Sequence, residues 1–374
     1  MRVPTLLSFL FLRVVAAKLE VRDGQTATLI TFPATPTDLG LKQIPDDAHP
    51  FIAPGPDDQR GPCPGMNTLA NHGYISRNGV ATFEEIVLGS VEAYNLEINF
   101  AAFIVAGNML MRGNPFVNKL SIGGESPLVP PLPGGIGGSA TGGMSKHGGF
   151  EGDASMTRAD AAIGDNADFQ DILYDLDLLS LGQFGGDGPE GPNTLFNVQT
   201  MSAIKQRNLQ MDQMINPEFH FTPIRAVASF TEAAFVLGIF ANGTTNQSSL
   251  STIGSFFRNQ TFPPNWHRAA APVSGLVLGG TALAIQAGVD PSIVVASHND
   301  AQGNLVPDTP PPAPFDANLG CGFYFDLFAH MPAGLANATG VLKQNVDLLA
   351  NAVRASVGGS ACNQTLAPFG PPDN

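Results

Sequence analysis

Apolar residues recur at helical spacing in several separate stretches of the chain, and these stretches predict helices. Thr82 and Glu85 have the spacing of a capping box, and the apolar stretch after them predicts one long buried helix over residues 82–112. The same reasoning predicts helices at about 168–181, 193–215, 223–240, 249–258 and 336–357. No run of alternating β-branched residues marks a sheet, although a short hairpin would escape such a search.

Stretches rich in proline and glycine separate the predicted helices, at residues 32–64, 121–149 and 303–314. They have no sustained periodicity and are typical of loops. The sequence contains no internal repeat and no convincing linker. We therefore predict a fold that is mainly α, with a single domain over residues 18–374 and long Pro- and Gly-rich loops.

The composition indicates a globular chain with an acidic surface. Hydrophobic residues make up 43% of the 374 residues and charged residues only 13%, so long disordered tracts are not expected. The formal net charge of −14 argues against nucleic acid or an anionic membrane surface as a partner, because both attract lysine and arginine.

The first 17 residues have the features of a secretory signal peptide. Arg2 supplies a positive charge, residues 3–12 are apolar, and Val15 and Ala17 are small residues at plausible cleavage positions. The alternative is a buried N-terminal strand or helix. Neither this segment nor any later one has the length of a membrane span. Five N-x-S/T sequons also favour a secreted, glycosylated, extracellular protein: Asn242, Asn246, Asn259, Asn337 and Asn363.

The three cysteines are informative if the protein is exported into an oxidising compartment. Cys321 and Cys362 lie on either side of one predicted helix and could pair to fix the C-terminus. This pairing leaves Cys63 unmatched. An odd thiol in a secreted protein is either a buried, inert cysteine or one that a ligand occupies.

The neighbours of Cys63 favour an occupied thiol. Pro62 and Pro64 restrict the backbone on both sides and hold residue 63 away from helical geometry. The stretch after Cys63 could form a helix whose positive N-terminal end faces the sulfur and lowers its pKa. A thiolate in this setting is suited to binding haem iron.

A second candidate site is the pentapeptide Glu151-Gly152-Asp153-Ala154-Ser155. Two carboxylates and a hydroxyl close to a glycine supply the hard oxygen ligands that Mg²⁺ or Ca²⁺ prefers. The alternative is a helix N-cap with acidic residues in its first turn.

A third candidate site is formed by Arg225 and Glu232, which are separated by nearly two helical turns and so project from one face. Their neighbours are apolar, and a charged pair in such a setting is costly unless it is compensated. The pair is either a salt bridge on a surface helix or a carboxylate and a guanidinium that work together in a buried pocket.

Other motifs point away from competing chemistries. His72 could be a ligand, but its context favours a hydrogen-bonded core residue, and the remaining histidines share no metal-ligand spacing. The sequence has no G-x-S-x-G motif, which argues against an α/β-hydrolase.

Taken in order, these motifs resemble the fungal unspecific peroxygenases, in particular their long form, within the chloroperoxidase-like haem-thiolate peroxidases. The resemblance runs from about residue 30 to the C-terminus. It rests on Pro62-Cys63-Pro64 with the stretch Gly65-Met66-Asn67-Thr68-Leu69-Ala70-Asn71-His72-Gly73, on Ser121-Ile122-Gly123, on Glu151-Gly152-Asp153-Ala154-Ser155-Met156-Thr157-Arg158, and on the Arg225 to Glu232 spacing.

The resemblance implies a helical chloroperoxidase-like fold that binds haem b and uses H₂O₂ as co-substrate. It implies that Cys63 is the axial iron ligand, that Glu232 is the distal acid–base, and that Arg225 stabilises charge during peroxide cleavage. It also implies a structural Mg²⁺ near a haem propionate, with Glu151, the Gly152 carbonyl, Asp153 and Ser155 as ligands. The implied reaction inserts oxygen into C–H and C=C bonds of small aromatic and aliphatic compounds, with accompanying one-electron peroxidase activity, in a monomer or homodimer.

The resemblance further predicts the lining of the substrate channel. Phe150 and Phe235 match phenylalanines that line the channel in relatives, whereas Val227 and Ala228 stand where some long relatives carry a bulky aromatic side chain. We expect a roomier channel. Gly152 stands where the chloroperoxidase branch has a histidine, and this departure favours the arginine–glutamate type of site.

Two other functions remain open from the sequence. One is a halide-oxidising peroxidase of the chloroperoxidase type with the same cofactor. The other is a secreted glycoprotein that holds no haem.

Overall fold

Helices dominate the computed structural model, which describes residues 20–135, 142–148, 151–308, 327–328 and 331–356. The prediction of a mainly α fold is confirmed. Short 3₁₀ segments occur at Pro133–Gly135 and Ala333–Asn337. In chain order the helices are α1 Pro64–His72, α2 Phe83–Tyr94, α3 Ile98–Arg112, α4 Asp171–Phe184, α5 Val198–Ile215, α6 Pro223–Gly238, α7 Leu250–Gly254, α8 Gly275–Ala287 and α9 Gly340–Ser356.

The strands are short and antiparallel, and they form small ribbons between the helices. Counted in chain order, the first strand pairs with the second and the third with the fourth; the sixth strand lies between the fifth and the eighth, and the ninth lies between the seventh and the tenth. None of these strands is long enough to show the alternation that marks a sheet in a sequence. In chain order they are β1 Val21–Arg22, β2 Gln25–Thr26, β3 Val80–Ala81, β4 Leu120–Ser121, β5 Gly186–Gly188, β6 Gly191–Phe196, β7 His220–Phe221, β8 Ser248–Ser249, β9 Ser297–Asn299 and β10 Leu305–Pro307.

The prediction of one helix over residues 82–112 is wrong, because the chain turns between α2 and α3. The expected capping box at Thr82 and Glu85 is present and starts α2. Asn95 then adopts left-handed backbone geometry with a φ of 53°, and its side chain donates to the carbonyls of Leu39 and Ala269. Glu97 begins α3 by accepting from the main-chain amides of its first turn. Contacts with distant segments therefore stabilise the break.

Other boundaries also differ from the predictions. The helix expected from residue 193 begins at Val198 with Asn197 as its cap, because residues 191–196 pair as strand β6. The helix predicted to reach about residue 258 is shorter than expected. Helix α7 ends at Gly254, and the chain continues as a π turn, Ser255–Asn259. Strand β10 lies within a predicted loop, and the sequence analysis did not identify α8.

The core is formed by helices that pack in pairs and by a cluster of aromatic rings. Helix α9 packs on α3, α6 packs on α8, and α2 packs on α3. Trp266 is fully buried, and its indole nitrogen donates to the carbonyl of Phe240. Tyr94 contacts both residues and donates to the carbonyl of Gly65 at the start of α1. These rings fix the first turn of α1 against the core.

Several sequence predictions fall outside the described residues: the signal peptide at 1–17, Phe150, Cys321, Cys362 and Asn363. Of the other sequons, Asn246, Asn259 and Asn337 are exposed and Asn242 is half-buried. Among the described residues, no helix is both long enough and apolar enough to cross a bilayer.

Candidate active site

A cavity of about 570 Å³ brings the predicted site residues together. Its wall combines the start of α1, parts of α2 and α3, the segment 151–158, Lys205 of α5, and one face of α6. Cys63, Glu151, Gly152, Ser155 and Glu232 all contribute to this wall. Most of the remaining lining is apolar, so the few charged groups act in a medium of low polarity.

Cys63 lies at the start of α1 as a free thiol in extended backbone geometry, with φ −88° and ψ 108°. Cys63, between its two prolines, therefore lies at a helix N-terminus, as predicted. The main-chain amides of Met66 and Gly65 at the start of α1 lower the pKa of the thiol, as does nearby Arg158. Burial outweighs them and raises the pKa of the thiol, so the expected lowering is wrong for the thiol without a bound metal.

Arg225 and Glu232 lie inside the protein on one face of α6, which is inconsistent with a surface salt bridge. The Arg225 guanidinium is buried, and its Nη1 donates to the main-chain carbonyl of Glu151 at 2.7 Å. Glu232 lines the cavity, and its side chain is exposed to the cavity space. Burial raises its pKa to about 7, with Glu151 adding to the rise and Lys205 and Arg225 opposing it. A carboxyl with this pKa can accept and return a proton near neutral pH.

The segment 151–155 is not helical, so the alternative of a helix N-cap is wrong. The Glu151 carboxylate lies 2.8 Å from Nδ1 of His147. Asp153 is buried behind the wall and accepts from the amide of His220, and its Oδ1 has no hydrogen-bond partner among the described residues. Burial raises the pKa of Asp153 to about 6.

The donor set of this segment is made of oxygen atoms. Among the described residues, no cluster of three or more His, Cys, Asp and Glu side chains forms a metal site. The predicted ligand set contains two such side chains, Glu151 and Asp153. The Gly152 carbonyl and the Ser155 hydroxyl complete it. Glu151, Gly152 and Ser155 line the cavity, and Asp153 does not.

Two buried cations of the site were not identified from the sequence. Lys205 lines the cavity from α5, and its ammonium donates to the Ala154 carbonyl and to Oγ of Ser229. Arg158 lines the cavity as well, and its Nη2 has no hydrogen-bond partner among the described residues. Arg158 belongs to a motif that carries the family resemblance, whereas no local pattern marks Lys205.

The predicted channel residues on α6 line the same cavity. Phe235, Val227 and Ala228 all contribute to the wall. The Phe235 ring meets Phe100 of α3 edge to face, with centroids 6.4 Å apart. The side chains at 227 and 228 are small where they face the cavity.

His72 is a core residue, as predicted. Its Nδ1 lies 2.9 Å from the carbonyl oxygen of His49 and its Nε2 lies 2.8 Å from Oγ1 of Thr261. Both ring nitrogens have protein partners, which accounts for its burial without a metal.

Comparison with known proteins is consistent with this geometry. Residues 49–271 match the family described as Peroxidase, family 2. The chain is 36% identical over 251 residues to an aromatic peroxygenase of Cyclocybe aegerita, covering 66% of this chain and 64% of that protein, which is slightly under two thirds of its length. It is 35% identical over 237 residues to an aromatic peroxygenase of Coprinellus radians, covering 62% and 87% of the two chains. A chloroperoxidase of Leptoxyphium fumago is 58% identical over 36 residues, 10% of each chain.

Proposed function

The chain belongs to peroxidase family 2, a family of enzymes, and from this membership we propose that it is an H₂O₂-dependent haem-thiolate peroxygenase. Its reaction inserts oxygen into C–H and C=C bonds of small aromatic and aliphatic compounds, with some one-electron peroxidase activity. The observation that carries the proposal is that Cys63 and Glu232 line one apolar cavity.

The residues of the cavity fit haem b. The thiol of Cys63 is a suitable axial ligand, and the main-chain amides of Gly65 and Met66 at the start of α1 favour its thiolate form. Arg158 presents a buried guanidinium nitrogen without a hydrogen-bond partner among the described residues, which suits a propionate carboxylate. When bound, haem supplies the iron at which peroxide is cleaved and from which oxygen is transferred.

The segment 151–155 would hold a divalent cation beside that group. Glu151, Gly152 and Ser155 line the cavity, and behind them Oδ1 of Asp153 has no hydrogen-bond partner among the described residues and lies 3.8 Å from Nε2 of His147. Such hard oxygen donors suit Mg²⁺. Glu151→Gln is expected to release Mg²⁺ more readily than Asp153→Asn, as measured by metal content after dialysis.

Glu232 and Arg225 carry out the proton transfer. The Glu232 carboxylate accepts the proton from one oxygen of H₂O₂ and returns it to the leaving oxygen, which departs as water. Arg225 stabilises negative charge on that oxygen, and its bond to the Glu151 carbonyl fixes the guanidinium. The apolar wall excludes bulk water and strengthens both interactions.

Product analysis with ¹⁸O-labelled peroxide tests the proposal. Incorporation of the label into an aromatic or alkyl substrate supports oxygen insertion. Halogenated products without label in the organic hydroxyl group would instead indicate the halide-oxidising alternative. A purified protein without a haem absorption band would favour the glycoprotein without haem.

The same proposal includes the setting of the enzyme. Residues 1–17 would direct export, residues 18–374 would form one domain, and Cys321 would pair with Cys362. The exposed sequons are suitable for glycans. Intact mass of the secreted protein, before and after deglycosylation, tests the cleavage and the glycans, and its mass under native conditions distinguishes monomer from homodimer.

A further inference from the structure

Lys205 is a buried cation at the junction of three parts of the site. It lies on α5 with 2% of its surface exposed. Its Nζ donates to the Ala154 carbonyl in the cation-binding segment and to Oγ of Ser229 on α6, each at 2.5 Å. Ser229 lies one helical turn before Glu232, so the ammonium contacts both the segment that would hold Mg²⁺ and the helix that carries the acid–base.

Ala154 is held in an unusual conformation by this arrangement. Its φ is +60°, in the left-handed region that a residue with a Cβ rarely adopts. Asp160 accepts from its amide at 2.9 Å while Lys205 donates to its carbonyl. The two contacts hold Ala154 through its amide and its carbonyl, and so fix the two peptide units that join it to Asp153 and Ser155.

The hydrogen-bond partners of Lys205 are neutral, although an ammonium is costly to bury without negative charge nearby. Among the described residues, no carboxylate lies within 4 Å of its Nζ. The carboxylates that act on it from further away are Glu232 on α6, Asp212 on α5, Asp177 on α4, and Asp160. Of these, Glu232 acts most strongly and shares the cavity wall with Lys205.

We propose that Lys205 is a positioning residue: it joins α6 to segment 151–155 through Ser229 and Ala154, and its charge, in the same cavity wall as Glu232, favours the ionised carboxylate that deprotonates peroxide. The groups that act on Glu232 are Lys205, Glu151, Arg225 and Cys63, so Lys205 is a second cation beside Arg225. This inference rests on the proposed role of Glu232.

Replacing Lys205 by methionine tests the inference, because methionine keeps most of the volume and removes the charge. The rate constant for peroxide is measured from pH 3 to 9, and the ionisation of Glu232 is followed separately by the infrared carboxyl band that Glu232→Gln abolishes. For Lys205→Met we expect the midpoint of both titrations to rise by about one pH unit and the rate at pH 5 to fall about tenfold. Lys205→Arg keeps the charge and should stay close to the wild-type midpoint.

Ser229→Ala is the matched control, because it removes one neutral acceptor and leaves the ammonium in place. It should shift the midpoint far less than Lys205→Met. An unchanged midpoint in Lys205→Met, or an equal shift in Ser229→Ala, would overturn the inference. If Lys205→Met does not fold, Lys205→Arg decides the test. A titration midpoint in Lys205→Arg that is raised by a full pH unit would overturn the inference, whereas a midpoint near that of the wild type supports the inference. A wild-type rate equal to that of Glu232→Gln would instead reject the proposed function.

Discussion

The guanidinium of Arg225 donates to the main-chain carbonyl of Glu151 at 2.7 Å, and this bond joins the helix of the proposed acid–base, Glu232, to the segment that would hold the cation. A side chain at residue 152 would press against this guanidinium. A Cβ on Gly152 would lie 2.8 Å from Nη1 of Arg225, closer than a carbon and a nitrogen can approach without displacement.

Gly152→Ala is therefore expected to displace the Arg225 guanidinium and reduce the rate constant for peroxide about tenfold. The measurement is stopped-flow mixing with H₂O₂ at a fixed pH. Gly124→Ala is the control, because a Cβ on Gly124 meets no atom within 4 Å. Equal rates in the two variants would show that Arg225 does not depend on the space at residue 152.

Removing a divalent cation from the proposed site at residues 151–155 should shift the pH dependence of the peroxide reaction. Glu232 must be deprotonated to accept a proton, so the rate rises with pH through its pKa, which burial raises to about 7 in the metal-free site. A cation on Glu151 offsets a negative charge that raises this pKa further. Chelation should therefore move the acid limb of the rate profile to higher pH, towards about 7. An acid limb of the rate profile that stays in place, or moves to lower pH, would contradict the proposed effect of the cation on the pKa of Glu232.

The structure also predicts greater stability in mildly acidic solution. Asp212 is buried, and burial, followed by the nearby Asp160, raises its pKa to about 8. Since the folded pKa exceeds the unfolded one, the stabilisation is complete below about pH 4 and is lost as the pH rises through 8. Urea unfolding of the wild type should give a free energy on the order of 2 kcal/mol higher at pH 5 than at pH 8.

Asp212→Asn should reduce that difference, because an amide does not titrate. Asp47→Asn, on the surface, should leave it unchanged. If the wild type were more stable at pH 8 than at pH 5, the buried carboxyl groups would not govern the pH dependence of stability.

The small residues on α6 predict the range of substrates. Val227 and Ala228 line the cavity, so a phenylalanine at 227 would occupy space now open to a substrate. Val227→Phe should lower turnover of a bulky polycyclic substrate relative to a slim monocyclic one, by about tenfold. Val198→Phe, outside the cavity wall, is the control. An unchanged preference in Val227→Phe would show that residue 227 does not limit the channel.

The sequence predicts those parts of the fold that depend on local pattern. The amphipathic spacing of α4, α5 and α6 places them within a few residues of their observed bounds, apart from the start of α5. The break at Asn95 was missed because its side-chain partners, Leu39 and Ala269, lie 56 and 174 residues away. Strand β6 was missed because it pairs in part with Ser248–Ser249, far along the chain.

The residues of the site also differ in whether a local sequence pattern marks them. Cys63 was identified by its flanking prolines, and Arg225 and Glu232 by their spacing on one helix, all local signals. Lys205 was not, since its acceptors are 51 and 24 residues away and belong to other elements. The pKa of Cys63 was predicted in the wrong direction because burial, unlike the helix N-terminus, is not evident from its neighbours in sequence.

The central claim is that Cys63 binds haem iron through its sulfur, and the absorption spectrum of the reduced, CO-bound protein tests it most directly. A thiolate ligand predicts a strongly red-shifted Soret band in the wild type, and Cys63→Ala should lose that band together with oxygen transfer. An imidazole-type spectrum in the wild type, or a thiolate-type band that persists in Cys63→Ala, would contradict the account.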